Sequence, residues 1–169
     1  MTTDQKDYLK NWLFRANEDI LVIENLFESE PEMFSSSICF HAQQAVEKFL
    51  KAFLVYHDID FPRTHDLDFL LQECKKVNDK SFDIDLGSLT DFGMSIRYPD
   101  DFYIPDKEQT YFFRDISLKV KEIVEANIKL WSTKPLLLTR SIKLMNLSQF
   151  LRASWLLHRD KKPTHTSEN

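Results

Sequence analysis

The 169 residues are 43% hydrophobic and carry 22 Lys and Arg against 27 Asp and Glu, a net charge of −5, which suits one domain whose core needs no disulfide or metal to hold it. Only two glycines occur, Gly87 and Gly93; this argues against hairpin-rich β structure and excludes the glycine-rich loops that cradle phosphates. Residues 134–169 hold seven Lys and Arg against two Asp and Glu, leaving an acidic body with 15 basic and 25 acidic residues, so bulk charge gives no argument for nucleic-acid binding.

In chain order, the N-terminus "MTTDQKDYLKNW" is polar and acidic, unlike a signal peptide. No apolar run reaches the length of a membrane span, and a soluble, cytoplasmic protein is expected. A first helix is predicted over Asp4 to Glu28, with Leu9, Leu13, Ala16, Ile20, Ile23 and Phe27 inward and Thr2, Thr3 or Asp4 as cap. "ESEPE" breaks it at Pro31. A second helix is predicted over Pro31 to Tyr56; its stripe Phe34, Ile38, Ala42, Ala45, Phe49, Ala52 and Tyr56 is widened by Val46, Leu50 and Phe53, so it should touch several neighbours.

"HDIDFPRTHD" ends that helix, Pro62 forcing Phe61 out of the α region. Thr64 or Asp66 caps a third helix over Leu67 to Asn78, with Leu67, Leu70, Leu71 and Cys74 inward. A short helix over Leu86 to Ile96 is followed by the loop "SIRYPDDFYIPD". A fourth long helix starts at Asp106 to Glu108 and buries Tyr111, Phe112, Ile116, Val120, Ile123, Val124 and Ile128. Cys39 and Cys74 lack any CxxC partner or zinc-spaced histidine and are expected as buried thiols; no metal or cofactor is expected.

The fold class is therefore all-α, an up-and-down antiparallel bundle of four to five core helices, with a C-terminal tail helix. Residues 1–132 form the bundle and residues 133–169 a basic extension, docked loosely or partly disordered. A basic amphipathic helix for a membrane surface or nucleic acid is the other reading of that extension.

Three polar groups stand out. On the second helix His41, Gln44, Lys48 and Lys51 fall at three- and four-residue steps and share a ridge, with Gln43 and Glu47 as a second pair. The ridge is either partly exposed, with Glu47 and Lys51 as an ordinary ion pair, or it lines a cleft or dimer seam. Arg63, His65 and Asp66 occupy the entry to the third helix, where capping competes with ligand binding. In the loop, Arg97 can present its guanidinium to a phosphate or pair with Asp100 or Asp101.

In their order and spacing, "FHAQQAVEKFLKAFLVYHDIDFPRTHDLDFLL" (Phe40 to Leu71) and "IRYPDD" (Ile96 to Asp101) resemble the HEPN family of small helical domains, and "ANEDILVIENLF" (Ala16 to Phe27) matches its first helix more loosely. The resemblance covers about residues 5–130. It implies a homodimer whose polar faces build a cleft at the seam, and a small MNT-type nucleotidyltransferase partner as in toxin–antitoxin pairs. His41, Gln44, Lys48, Lys51, His65, Asp66, Arg97, Tyr98, Asp100 and Asp101 are the expected binding-cleft residues, with a nucleotide or RNA as ligand. Family ribonucleases cut RNA without a metal, using an arginine followed four to six residues on by a histidine. Here Arg97 matches, but Phe102, Tyr103 and Ile104 hold the histidine positions. Tyrosine, with a pKa of about 10, is a poor base, and losing a general base costs about 10²–10⁴-fold in rate. The expectation is a nucleotide- or RNA-binding protein without full ribonuclease activity. The alternatives are an active metal-independent ribonuclease using Arg97 with Tyr103 or His65, and a non-catalytic interaction module.

Overall fold

A computed structural model describes residues 1–92 and 104–128. Its first helix, α1 (Thr3–Ser29), is started by a reciprocal cap: Thr2 Oγ1 accepts from the Gln5 backbone N–H, and Gln5 Oε1 accepts from that of Thr2. Leu9, Leu13, Ala16, Ile20 and Ile23 are buried as their spacing predicts. The second helix, α2 (Ser35–Tyr56), starts one turn later than predicted. Pro31 opens a separate turn in which Phe34 N–H reaches Glu30 O at 3.2 Å, and Phe34 (φ −103°, ψ 17°) leaves the helical region before Ser35.

At its other end α2 stops at Tyr56 as predicted, by a nearer device than Pro62. Asp58 takes a φ of 57°, and Ile59 N–H turns back to Leu54 O at 3.0 Å, a left-handed termination that satisfies the last carbonyls. Asp66 then caps α3 (Leu67–Asn78) by accepting from Phe69 N–H at 2.9 Å, while Thr64 Oγ1 accepts from Asp66 N–H. Both cap candidates are used, in tandem. Of the short helix expected over Leu86 to Ile96, Leu86–Ser88 are not helical and a 3-10 turn occupies Leu89–Asp91, while residues 93–96 lie outside the described residues. The last described helix, α4 (Lys107–Asn127), begins with a capping box between Asp106 and Gln109.

Helix α2 is the centre of the bundle: 14 of its 22 residues are buried, and it packs along α1 and α4 and against α3. Short connections join α1 to α2 and α2 to α3, whereas residues 79–106 separate α3 from α4. The described residues are all-helical, as expected. None of their helices is long and apolar enough to cross a membrane. Cys39 and Cys74 are buried and free, and burial pushes the Cys39 thiol up to about 12, so both pack as small apolar groups.

One helix face differs from the sequence expectation. Tyr111 and Phe112 are exposed, and Phe113 is buried instead, in line with Ile116, Val120 and Val124. Three aromatics in a row leave the phase ambiguous by one residue, or about 100° of helix; the downstream aliphatics settle it. Phe112 lies over Gly87, where a Cβ would come within 3.1 Å of the ring and the φ of 56° would strain any other residue. Tyr111 meets Phe27 edge-on at 4.6 Å, beside the Arg114 guanidinium that grips Glu24 with bonds of 2.9 and 3.1 Å. These contacts join α4 to α1. Phe113→Ala is expected to cost about 3–5 kcal/mol and Phe112→Ala less than about 1 kcal/mol, as read by urea unfolding.

Candidate functional site

The polar residues of α2 divide between two carboxylates, the buried Glu47 and the partly buried Asp19. Asp19 of α1 accepts from His41 Nδ1 at 2.9 Å on one oxygen and from Lys48 Nζ at 2.6 Å on the other. Lys48 also donates to Gln44 Oε1 at 3.1 Å. Glu47, on the adjoining side of α2, accepts from Lys51 Nζ at 2.7 Å and from His65 Nδ1 at 3.0 Å. The two glutamines bridge these groups: Gln44 donates to Gln43 Oε1 at 2.7 Å, and Gln43 donates to Glu47 at 3.2 Å and to His65 O at 3.4 Å. A continuous hydrogen-bonded chain thus runs from His41 to His65.

The expected ridge of His41, Gln44, Lys48 and Lys51 is therefore split. His41, Gln44 and Lys48 face α1, whereas Lys51 turns to Glu47 and to Thr64 O, at 2.7 Å. The Glu47–Lys51 pair exists as spaced, but its side chains are only 6% and 7% exposed. Lys51 Nζ sits 5.4 Å from the Trp12 ring and 5.9 Å from the Phe61 ring, an aromatic lining that helps hold a charge away from water. His65 is exposed at the rim of this group, and Asp66 spends its carboxylate on the α3 cap. Arg97, Tyr98, Asp100, Asp101 and Tyr103 lie outside the described residues.

Asp19, which completes the His41 group, lies in the loosely matching "ANEDILVIENLF" segment, but nothing in its spacing marks it as a partner of α2. It stands one residue before the buried Ile20, at the border of the apolar stripe, where a charged residue is ordinary; only the approach of α2 gives it partners. Thr64 and His65 contribute main-chain carbonyls, which no sequence motif displays. Two shallow cavities, of about 350 and 250 Å³, are lined by residues outside this network. Among the described residues no three His, Cys, Asp or Glu side chains converge as a metal site.

Charge within the network is balanced: Asp19 and Glu47 against Lys48 and Lys51. Burial, the largest single influence on Glu47, acts to raise its pKa. The hydrogen bonds and charges of Lys51 and His65 together outweigh it and hold the carboxyl below its ordinary value of 4.5. Its folded pKa lies below its unfolded one, so its stabilisation is complete above the ordinary carboxylate range and is lost as pH falls through the lowered value. Glu47→Ala, which strands the buried Lys51 ammonium, is expected to cost about 3–5 kcal/mol at pH 7. Urea titrations of the native protein and Glu47→Gln across pH 3–7 should show a shallower acid-side loss of stability in the variant.

The arrangement accounts for the sequence pattern. Gln43 and Lys51 donate to the His65 and Thr64 carbonyls and Glu47 holds the His65 ring, tying "HAQQAVEK" on α2 to "THDL" at the start of α3. Comparison with curated proteins and with solved structures gives no match. The family model described as HEPN domain matches residues 9–131, a span that takes in most of α1, all of α2 to α4 and both carboxylate groups. By that match the chain belongs to the HEPN domain family.

Proposed function

We propose that this chain is a homodimeric nucleotide- or RNA-binding protein that acts in the cytoplasm with an MNT-type nucleotidyltransferase partner, as in toxin–antitoxin pairs. The observation that carries this reading is the family match spanning a polar network that presents two imidazole rings at the edge of an otherwise apolar bundle. Since the two lysines of the network are neutralised by its carboxylates, the charge of a phosphate has to be met by another group. Arg97 is proposed for that role, with Tyr98, Asp100 and Asp101 beside it.

The reading is of binding rather than efficient cleavage, because Phe102, Tyr103 and Ile104 fill the positions where a histidine would serve as base. A second copy is proposed to cover the outer face of α1. There Phe14 and Leu21, seven residues apart, point away from the core and are 60% and 47% exposed.

A labelled single-stranded RNA titrated into the native protein and Arg97→Ala tests the ligand. Arg97→Ala is expected to weaken binding about 10–100-fold, the worth of a charge-assisted hydrogen bond, and to reduce the slope of log K against log salt by about 0.7 for each phosphate that the guanidinium no longer neutralises. Absence of binding by both proteins would overturn the reading. Light scattering after size exclusion should give a dimer for the native chain and a monomer for the double variant Phe14→Asp, Leu21→Asp.

A further inference from the structure

Three cations among the described residues are held by one pattern, an aromatic ring combined with a carboxylate. Arg114 places its guanidinium 4.4 Å from the centre of the Phe27 ring and forks onto Glu24 at 2.9 and 3.1 Å. Lys107 Nζ lies 5.8 Å from the Tyr111 ring and 2.9 Å from Glu32. Lys51 combines the Trp12 and Phe61 rings, at 5.4 and 5.9 Å, with Glu47 at 2.7 Å. The negative face of a ring and the charge of a carboxylate act in the same direction, and both favour a positive group.

The same combination recurs in the shallow cavity of about 250 Å³ between the start of α1 and the end of α2, whose lining includes Gln5, Tyr8, Asp58, Asp60 and Phe61. Tyr8, 51% exposed, meets Trp12 edge-on at 5.9 Å, and Trp12 meets Phe61 edge-on at 6.5 Å, so the rings form one connected wall. Asp58 is fixed by its left-handed backbone and by Gln5 Nε2, which donates to it at 2.9 Å. Among the described residues, neither Asp58 nor Asp60 is paired with a Lys, Arg or His. The last turn of α2, which supplies Val55 to the lining, holds no basic residue, and the negative end of the helix dipole adds to the carboxylates. Lys51, on the Phe61 ring, has its charge answered by Glu47. A lone surface aspartate is ordinary, but here a cation gains from every wall while an anion or an apolar group does not.

We propose that this cavity receives an arginine side chain of a partner protein, its guanidinium paired with Asp58 and Asp60 and lying against Tyr8 and Phe61. A guanidinium fits better than an ammonium, because its planar fork serves carboxylates and stacks on rings, and it gives up its water more readily. The charge of the bundle suits a basic partner: residues 1–133 hold 25 acidic against 15 basic side chains, which steers a positively charged surface toward it. The site is separate from the His41–His65 network and from the dimer contact proposed at Phe14 and Leu21, and it does not depend on the nucleotide-binding reading.

The full-length protein is titrated by amide NMR with acetyl-Gly-Arg-Gly-amide, with its lysine form, and with its citrulline form, which keeps the shape of arginine without the charge. The arginine peptide should shift the resonances of Tyr8 and residues 58–61 saturably, with the lysine form about 2–5-fold weaker and the citrulline form at least about 10-fold weaker. Asp58→Asn, which can still accept from Gln5 and tolerates the left-handed turn, and Asp60→Asn should each weaken the arginine peptide about 3–5-fold. Tyr8→Leu, which keeps apolar bulk without the ring, should weaken it about 2–5-fold. These side chains are exposed, so the unfolding midpoints should stay native, and lost binding is then not lost folding. No saturable shift at these residues, equal binding of the arginine and citrulline forms, or native affinity in the double variant Asp58→Asn, Asp60→Asn overturns the proposal. Shifts at the same residues on concentrating the protein alone would assign the cavity to a second copy of this chain and overturn it as well.

Discussion

A carboxylate buried at the centre of a helical bundle must be met by donors, and at Glu47 those donors come from two parts of the chain. Lys51 and Gln43 lie one turn to either side on α2, while His65 arrives from the loop before α3. In a low-dielectric setting each of these groups is costly without the others. The register of α2 against that loop is therefore set by hydrogen bonds with directions, rather than by apolar packing, which tolerates small slides and repacking. Such a pair adds less to gross stability than its short distances suggest, since burial costs both ions their water. Its value lies in fixing one arrangement: the Thr64 and His65 carbonyls are held where Asp66 can start α3.

Asp19 does for the α1–α2 contact what Glu47 does for α2 and α3. The two carboxylates are joined through Lys48, Gln44 and Gln43, so the polar side of the central helix is one network instead of a row of separate side chains. Its internal neutrality has a functional consequence. Lysines that look available for phosphate when counted on a helical wheel have their charge already answered. The groups left over are the ring nitrogens of His41 and His65, which the carboxylates hold through Nδ1.

Around this framework the apolar packing is ordinary and largely legible. The steps of Leu9, Leu13, Ala16, Ile20 and Ile23 place the buried face of α1, and Leu67, Leu70, Leu71 and Cys74 place that of α3. Legibility fails where spacing alone has to choose a phase. "TYFFRD" offers three adjacent aromatics, and hydrophobicity does not separate the buried Phe113 from its exposed neighbours Tyr111 and Phe112. At the α2 terminus the stop falls where the sequence places it, but Asp58 makes it ahead of Pro62, since a left-handed aspartate leaves no pattern beyond a residue type common in loops.

For the polar network, the sequence by itself marked which residues of α2 share a side, because their three- and four-residue steps follow from helical geometry that any such segment must adopt. It also marked the family, through the order and spacing of "HAQQAVEK" and "THDL". Tertiary structure alone decided how those residues are partnered. Lys51 turned inward and Lys48 toward α1, and Asp19 entered the network from a different helix. The reason is that a hydrogen bond is settled by atoms a few ångströms apart in space, and residues such as Asp19 and Lys48, 29 positions apart in the chain, are brought within reach only when the helices pack.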